Sequence, residues 1–445
     1  MTDPRQSALE YAHQNNGRFI EELKEFLAIP SISTSPEHNA DTLRCAEWTA
    51  AQLRSLGMDN VRVMPTGGHP AVYGESLKAG KDAPTVLIYG HYDVQPVDPL
   101  DLWTTEPFKA EVRGENLFAR GSSDMKGQVI ASMKAVESVA RTSGLPVNIK
   151  WLIEGEEEIG SKNLGEFIKK NADMLKADFC INPDAGMIGA DLPTITYGLR
   201  GLAYFEIRVY GPNRDLHSGL FGGTIHNPAQ ALVELIAGMH DKVRKAGKAE
   251  RAEIARLPIK PKDIVNMTGV PALWGEPAYT PEERVSIRPT LEVNGLLSGF
   301  TGEGSKTVLP AWAMAKISCR LVPDQTPAMI EKAMIKYIKA NAPKTIRAEV
   351  KIITGSDAAI TERDSMGVQA MAQGLEQAWG KRPLFKREGG SIGVVVQLQE
   401  YVGADSVLTG FGLPEDNAHS PNEKLHLPTW RKGIDALVHT IYNLK

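Results

Sequence analysis

The sequence predicts an α/β domain interrupted by a smaller α+β insertion. Three observations lead there. Continuous apolar runs such as Val86-Leu87-Ile88-Tyr89-Gly90 alternate with amphipathic helical patterns, as in an open sheet covered on both faces. Several of those runs lead directly into polar motifs carrying histidine or carboxylate side chains, where such a sheet presents its active site. From about Thr194 the strand-like segments alternate polar with apolar, and near Ile360 the pattern of the first half resumes.

Taken in order, the first thirty residues read as one amphipathic helix, with Phe19, Ile20, Leu23, Phe26 and Leu27 on its apolar face and a stop near Pro30. Asp41–Leu56 is a second helix, ended by Gly57. Val86–Gly90 is a buried strand that delivers His91 to the sheet edge. Val129, Ile130, Met133, Val136 and Val139 mark the helix after Gly127. Val147–Ile153 and Asp178–Ile181 are further buried strands, the first ending at a glutamate cluster and the second near Asp184. In the insertion, Ala203–Val209 and Ala313–Leu321 alternate like strands with one solvated face. Helices follow Pro228 and cover Met329–Ala340, and the Pro/Gly-rich stretch 254–304 is expected to be irregular. After the insertion come a helix over Ser365–Trp379, a strand at Ser406–Thr409 and a closing helix, Leu427–Leu444. The domains are therefore 1–193 with 357–445, and 194–356 between them. His419 must join ligands from the first half, which makes the middle segment an insertion.

Composition narrows the class. A chain of 445 residues is long for one core. A net charge of −4 without a Lys/Arg cluster gives no footprint for nucleic acid, and no apolar run approaches the roughly eighteen residues of a membrane span. Residues Met1–Gln6 lack a secretory pattern. Cys45, Cys180 and Cys319 have no CxxC spacing and fit a reducing compartment. The expectation is a cytoplasmic enzyme.

Five motifs carry the chemistry: His91-Tyr92-Asp93, Ser123-Asp124-Met125-Lys126-Gly127, Glu154-Gly155-Glu156-Glu157-Glu158, Asn182-Pro183-Asp184 and Asn417-Ala418-His419-Ser420. Alone, His91 reads as a satisfied strand-end histidine, Asp124 as a helix cap and the glutamate run as a solvated face. Together they supply the donors of a two-cation hydrolytic site. In an extended H-x-D pair, Asp93 can accept from the His91 imidazole and fix its tautomer. Asp124 has two oxygens with which to bridge two cations. Of the adjacent glutamates, one can bind metal while the other moves a proton.

In order and approximate spacing these motifs resemble the M20 metallopeptidases, along essentially the whole chain. The likeness is greatest to the carnosinase and cytosolic dipeptidase branch, through Ile195–Gly201, Asp215-Leu216-His217-Ser218-Gly219, Lys306–Pro310, Arg320–Pro323 and Arg387–Ile392. The resemblance implies a mixed-sheet di-metal catalytic domain of the zinc-exopeptidase type with an inserted α+β lid and dimerisation domain. It implies two divalent ions, Zn²⁺ or Mn²⁺: one held by His91 and Asp184, the other by Glu158 and His419, with Asp124 bridging. Glu157 becomes the general base, Asp93 the residue that orients His91, and His217 an oxyanion donor acting across a homodimer interface. Arg320, Thr307, Gly390 and Ser391 match positions that hold the C-terminal carboxylate of a dipeptide or short peptide. A cis peptide is implied at Asp124–Met125, and Met125 stands where this branch usually has Asn or Asp. The rival reactions are deacylation of N-acyl amino acids with the same metals and, in another class, a silent scaffold.

Overall fold

The computed structural model describes residues 3–240, 251 and 254–445. Met1 and Thr2, at the start of the expected first helix, and 241–250, 252 and 253, inside the expected insertion, lie outside the described residues. The chain divides into two compact units. Unit 1 comprises residues 1–197, 361–386 and 393–445, and unit 2 comprises 198–360 and 387–392. Residues 387–392, assigned by sequence to the first domain, cluster with the second.

Unit 1 is built on a mixed sheet in the order Asp59–Met64, Ala71–Ser76, Asn148–Glu154, Thr85–His91, Phe179–Asn182, Asp405–Leu408, Thr194–Leu199. The four central strands run parallel to their neighbours, and antiparallel partners flank them. Their registers place His91 opposite Glu154 and Leu408 opposite Asn182. Parallel strands in register bring their carboxyl ends to one edge, so the residues just beyond them converge. The apolar runs are continuous because these strands are covered on both faces: all seven residues of Asn148–Glu154 are buried.

The helix Lys126–Thr142 is buried on nearly every side as far as Val139. It packs against Leu427–Asn443 and the N-terminal helices. Trp430, fully buried, donates from Nε1 to the carbonyl of Gly127 at 2.7 Å. A Cβ at Gly127 would come within 2.1 Å of the Ser122 carbonyl oxygen, so only glycine allows this turn to close tightly onto the helix. The expected single N-terminal helix is two, Pro4–Gln14 and Asn16–Leu27. Asn15 breaks it, its side-chain amide donating to the Tyr11 carbonyl at 2.8 Å.

Unit 2 carries an antiparallel sheet in the order Thr290–Ser298, Trp312–Leu321, Gly201–Tyr210, Arg347–Ser356. Helices Pro228–Ala237 and Pro327–Asn341 pack against it, closing a core that includes Phe205, Ile207, Leu232, Ile317 and Ile338. The stretch expected to be irregular holds helices Pro261–Thr268 and Pro281–Ser286 and the nine-residue edge strand Thr290–Ser298. A register shift between Val293 and Gly295 interrupts that strand's alternation, which is why its pattern is hidden in the sequence. Among the described residues no helix is long and apolar enough to cross a membrane.

Candidate metal centre

Each predicted ligand of unit 1 owes its position to a strand end or a turn. His91 closes its strand fully buried. Its Nε2 lies 3.2 Å from Asp124 Oδ1 and 3.8 Å from Asp184 Oδ1. Asp184 follows the strand Phe179–Asn182, and its amide donates to Asn182 Oδ1 at 3.0 Å. Asp124 sits in the turn before the helix Lys126–Thr142, and the Asp124–Met125 bond is cis, as the resemblance implies. Its second oxygen, Oδ2, lies 2.9 Å from His419 Nε2, which is itself 3.2 Å from Glu158 Oε2. Two triads result, His91–Asp124–Asp184 and Asp124–Glu158–His419, and within each the donor atoms lie within 4.8 Å of one another. Asp124 belongs to both, one oxygen to each.

Asp93 differs in detail from the sequence expectation. The Nδ1 of His91 is closer to the Asp93 carbonyl oxygen, 3.1 Å, than to its carboxylate, 3.4 Å. The Asp93 carboxylate accepts the backbone N–H of Glu157 at 3.3 Å and of Glu158 at 3.1 Å. It thus ties the His91 strand to the turn bearing both glutamates. Glu158 is held further by Gln95, whose Nε2 donates to Oε2 at 2.8 Å. Behind the site the buried Glu154 accepts from Tyr89 at 2.7 Å and Ser161 at 2.9 Å.

The electrostatics are those of crowded carboxylates. Burial works against the charge of Asp124, but hydrogen bonds from His419 and His91 hold it well below the usual range. Burial likewise opposes protonation of His91, yet Asp124, Asp184 and Asp93 push it well above its ordinary value. His419 is raised to about 10 by Asp124 and Glu158. Burial raises Asp184 to about 6 and Glu157 to about 8, with neighbouring carboxylates adding to both. The carboxyls of Asp93, Asp124, Asp184, Glu154, Glu157 and Glu158 outnumber the imidazoles, and Glu158 Oε1 is buried with no hydrogen-bond partner among the described residues. An excess of buried negative charge with an unfilled acceptor suits divalent cations, and the mixed imidazole and carboxylate donors suit Zn²⁺ or Mn²⁺. The donor set fits the implied pair.

The remaining predicted residues lie in unit 2 and form two groups. His217 and Thr307 share a two-stranded ribbon, in which Leu216–His217 pairs with Val308–Leu309 and the Ser218 amide donates to the Thr307 carbonyl at 3.1 Å. His217 is exposed, and its Nδ1 accepts from the Gly219 N–H at 3.0 Å, which leaves the proton on Nε2 as an outward donor. Arg320 Nη1 donates to Ser391 Oγ at 3.0 Å, and Ser391 Oγ donates to the Arg200 carbonyl at 2.5 Å. A Cβ at Gly390 would meet open space. Arg200, part of the Ile195–Gly201 motif but given no role from sequence, donates to the carbonyls of Gly389 at 3.2 Å and Arg288 at 3.1 Å. Burial and the nearby charge of Arg320 lower it to about 10.

Sequence reasoning also missed Glu423. Its buried carboxylate accepts from Arg120 and from the amides of Gly121, Ser123 and Asp124. It stands in a polar loop segment, Ser420-Pro421-Asn422-Glu423, and nothing local distinguishes it from a solvated glutamate.

With this geometry in view, likeness to known proteins becomes informative. Residues 87–443 match the family described as Peptidase family M20/M25/M40. The chain is 31% identical to a Cys-Gly metallodipeptidase, DUG1, of Candida albicans, covering 98% of this chain and 96% of the relative. It is 30% identical to the human Beta-Ala-His dipeptidase, covering 96% and 90%. A solved M20 family metallo-carboxypeptidase, Sso-CP2 from Sulfolobus solfataricus, superposes with a TM-score of 0.83 at 32% identity, covering 96% of this chain and 99% of that one. The motifs, the parallel strand ends and these matches agree: this chain belongs to peptidase family M20/M25/M40.

Proposed function

We propose that this chain is a metal-dependent dipeptidase that hydrolyses the peptide bond of dipeptides or short peptides. One observation carries the reading: two donor triads share the single carboxylate of Asp124, with Glu157 beside them in neither triad. His91, Asp124 and Asp184 would hold one divalent cation, and Asp124, Glu158 and His419 the other. Bound there, such a pair supplies Lewis-acid polarisation of the scissile carbonyl and lowers the pKa of a water.

The protein's own groups do the rest. Glu157 takes a proton from the attacking water at a carboxylate oxygen and returns it to the leaving nitrogen. Its carboxyl lies among those of Asp184, Glu158 and Asp124, beside the donors and in neither triad. Asp93 holds the Glu157–Glu158 turn. The outward Nε2–H of His217 is suited to the developing oxyanion. Arg320 and the Gly390 backbone offer N–H donors of the kind a substrate carboxylate needs, and Ser391 holds the Arg320 guanidinium by accepting from it.

Unit 2 would act as lid and dimerisation domain, with His217 serving the partner subunit's site in a homodimer. Thr307 shares the His217 ribbon, so it would cross with it. An uncovered sheet edge supports the dimer: Val293, Leu296, Leu297 and Phe300 lie exposed on and beside the strand Thr290–Ser298. Cys45, Cys180 and Cys319 are all free, which favours a reducing, cytoplasmic setting.

The test is a panel of dipeptides beside N-acetyl and N-succinyl amino acids, with chelated enzyme and Zn²⁺ or Mn²⁺ added back. The expected result is loss of amine release on chelation and metal-restored cleavage of the dipeptides alone. Cleavage of acylated amino acids only would overturn the substrate class. A second expectation concerns Arg320→Met, which should raise KM for a dipeptide by about 10- to 100-fold, the worth of a lost hydrogen bond to a charged group. It should have little effect on a C-terminally amidated analogue, and an equal effect on both would remove Arg320 from the carboxylate site.

A further inference from the structure

We propose that Glu423 is a positioning residue for the metal centre: its buried carboxylate fixes the Gly121–Asp124 turn, and with it the carboxylate of Asp124, relative to the loop bearing His419. The inference rests on the metal-dependent reading above.

Four donors converge on this one side chain. Oε1 accepts the backbone N–H of Ser123 at 2.9 Å and of Asp124 at 3.1 Å. Oε2 accepts the N–H of Gly121 at 2.9 Å and Nη1 of Arg120 at 2.7 Å. Glu423 and Arg120 are each 1% exposed. A buried carboxylate is costly unless its lone pairs are filled, and here each oxygen accepts twice. Converging amides of this kind form an anion-binding concavity. In this chain the anion is a side chain from some three hundred residues further along.

The same loop delivers His419. Its backbone stands at φ 62°, between Asn417 at 57° and Asn422 at 60°, left-handed positions that Asn and His tolerate better than most residues. The loop is closed at its base, where Lys424 donates its amide to the Asp416 carbonyl and its Nζ to Asp416 Oδ1, both at 2.9 Å. Asp416 Oδ2 accepts from Ser123 Oγ at 3.1 Å and from the Leu413 amide at 2.8 Å. Strand pairing of Lys424–His426 with Asn116–Phe118 and the Ala119 amide on the Glu423 carbonyl at 3.1 Å lock the frame. Two buried carboxylates of the His419 loop thus grip the turn of Asp124. The loop held this way places His419 Nε2 2.9 Å from Asp124 Oδ2. Donor atoms placed by rigid support before a cation arrives bind it more tightly than donors that must be gathered.

A role confined to stability makes a different prediction from one in positioning, and the experiment separates them. Wild-type protein, Glu423→Gln and Glu423→Asp are stripped of metal and titrated with Zn²⁺ against a competing chelator. Tm is recorded, and kcat and KM for a dipeptide are measured at limiting and excess metal. We expect wild type to bind two ions and both variants to bind at least one of them about 10- to 100-fold more weakly, the usual cost of losing an outer hydrogen-bond partner. KM should be unchanged, and excess metal should restore the lost kcat.

Glu423→Asp keeps the charge beside Arg120 but is one methylene too short to reach all three amides. Wild-type affinity in that variant would therefore overturn positioning in favour of simple charge pairing. Folded variants with lowered Tm and unaltered affinity would overturn it in favour of stability alone. Should neither variant fold, amide exchange on stripped wild type decides: protection of Gly121, Ser123 and Asp124 supports the brace, and open-loop rates overturn it. A wild type that binds no ions removes the reading on which the inference stands, a result distinct from all of these.

Discussion

Glu157→Gln is expected to lower kcat by about 10²- to 10⁴-fold, the range contributed by a positioned general base. Metal stoichiometry and KM should stay near wild type. The expectation follows from position. Glu157 belongs to neither donor triad, yet its amide is tied to the Asp93 carboxylate, so its side chain is delivered beside the triads without belonging to either. Glutamine keeps the shape and removes only the capacity to take a proton. Steady-state kinetics with metal analysis of the same preparation check it, and a kcat within tenfold of wild type would move the proton-transfer role to another group.

Asp124→Ala should be more damaging and in a different way. Every other donor serves one triad, whereas Asp124 gives Oδ1 to the first and Oδ2 to the second. Its loss should weaken both ions together, where Asp184→Ala or His419→Ala weakens one. Since loss of an outer partner alone costs about 10- to 100-fold in affinity, loss of the shared ligand should exceed that at each site and reduce turnover below detection at ordinary metal concentrations. Metal content by mass spectrometry after dialysis, compared across the three variants, is the measurement. Retention of one tightly bound ion in Asp124→Ala would contradict the bridge.

Legibility in the sequence depends on how local the signal is. The buried parallel strands announce themselves as continuous apolar runs, and their ends carry His91, the glutamate cluster and Asp184, so fold and candidate donors can be read together. The edge strand Thr290–Ser298 cannot, because a register shift near Gly295 interrupts its period and, among the described residues, one edge has no strand partner. The H-x-D spacing makes Asp93 a partner of the His91 imidazole, and the proximity is real. Its carboxylate nevertheless accepts its hydrogen bonds from two amides sixty-odd residues away, a tertiary fact with no sequence periodicity behind it. Glu423 and Asp416 escape for the same reason. Each is a charged residue in a polar setting whose burial is decided by distant backbone, and propensity and patterning carry no term for that.

The strand Asp405–Leu408 is also the last strand of the central sheet to leave the ribosome, and it enters the sheet between two strands made long before it, Phe179–Asn182 and Thr194–Leu199. Until it arrives, the growing chain presents an open flank in the middle of its future sheet, a surface that invites pairing with other chains. The centre's final donor, His419, is synthesised later still, long after Asp184, the donor that precedes it in the chain. A nascent chain thus holds an unfinished sheet and lacks His419, so neither the central sheet nor the triad Asp124–Glu158–His419 can be complete until the last stretch of the chain has been made.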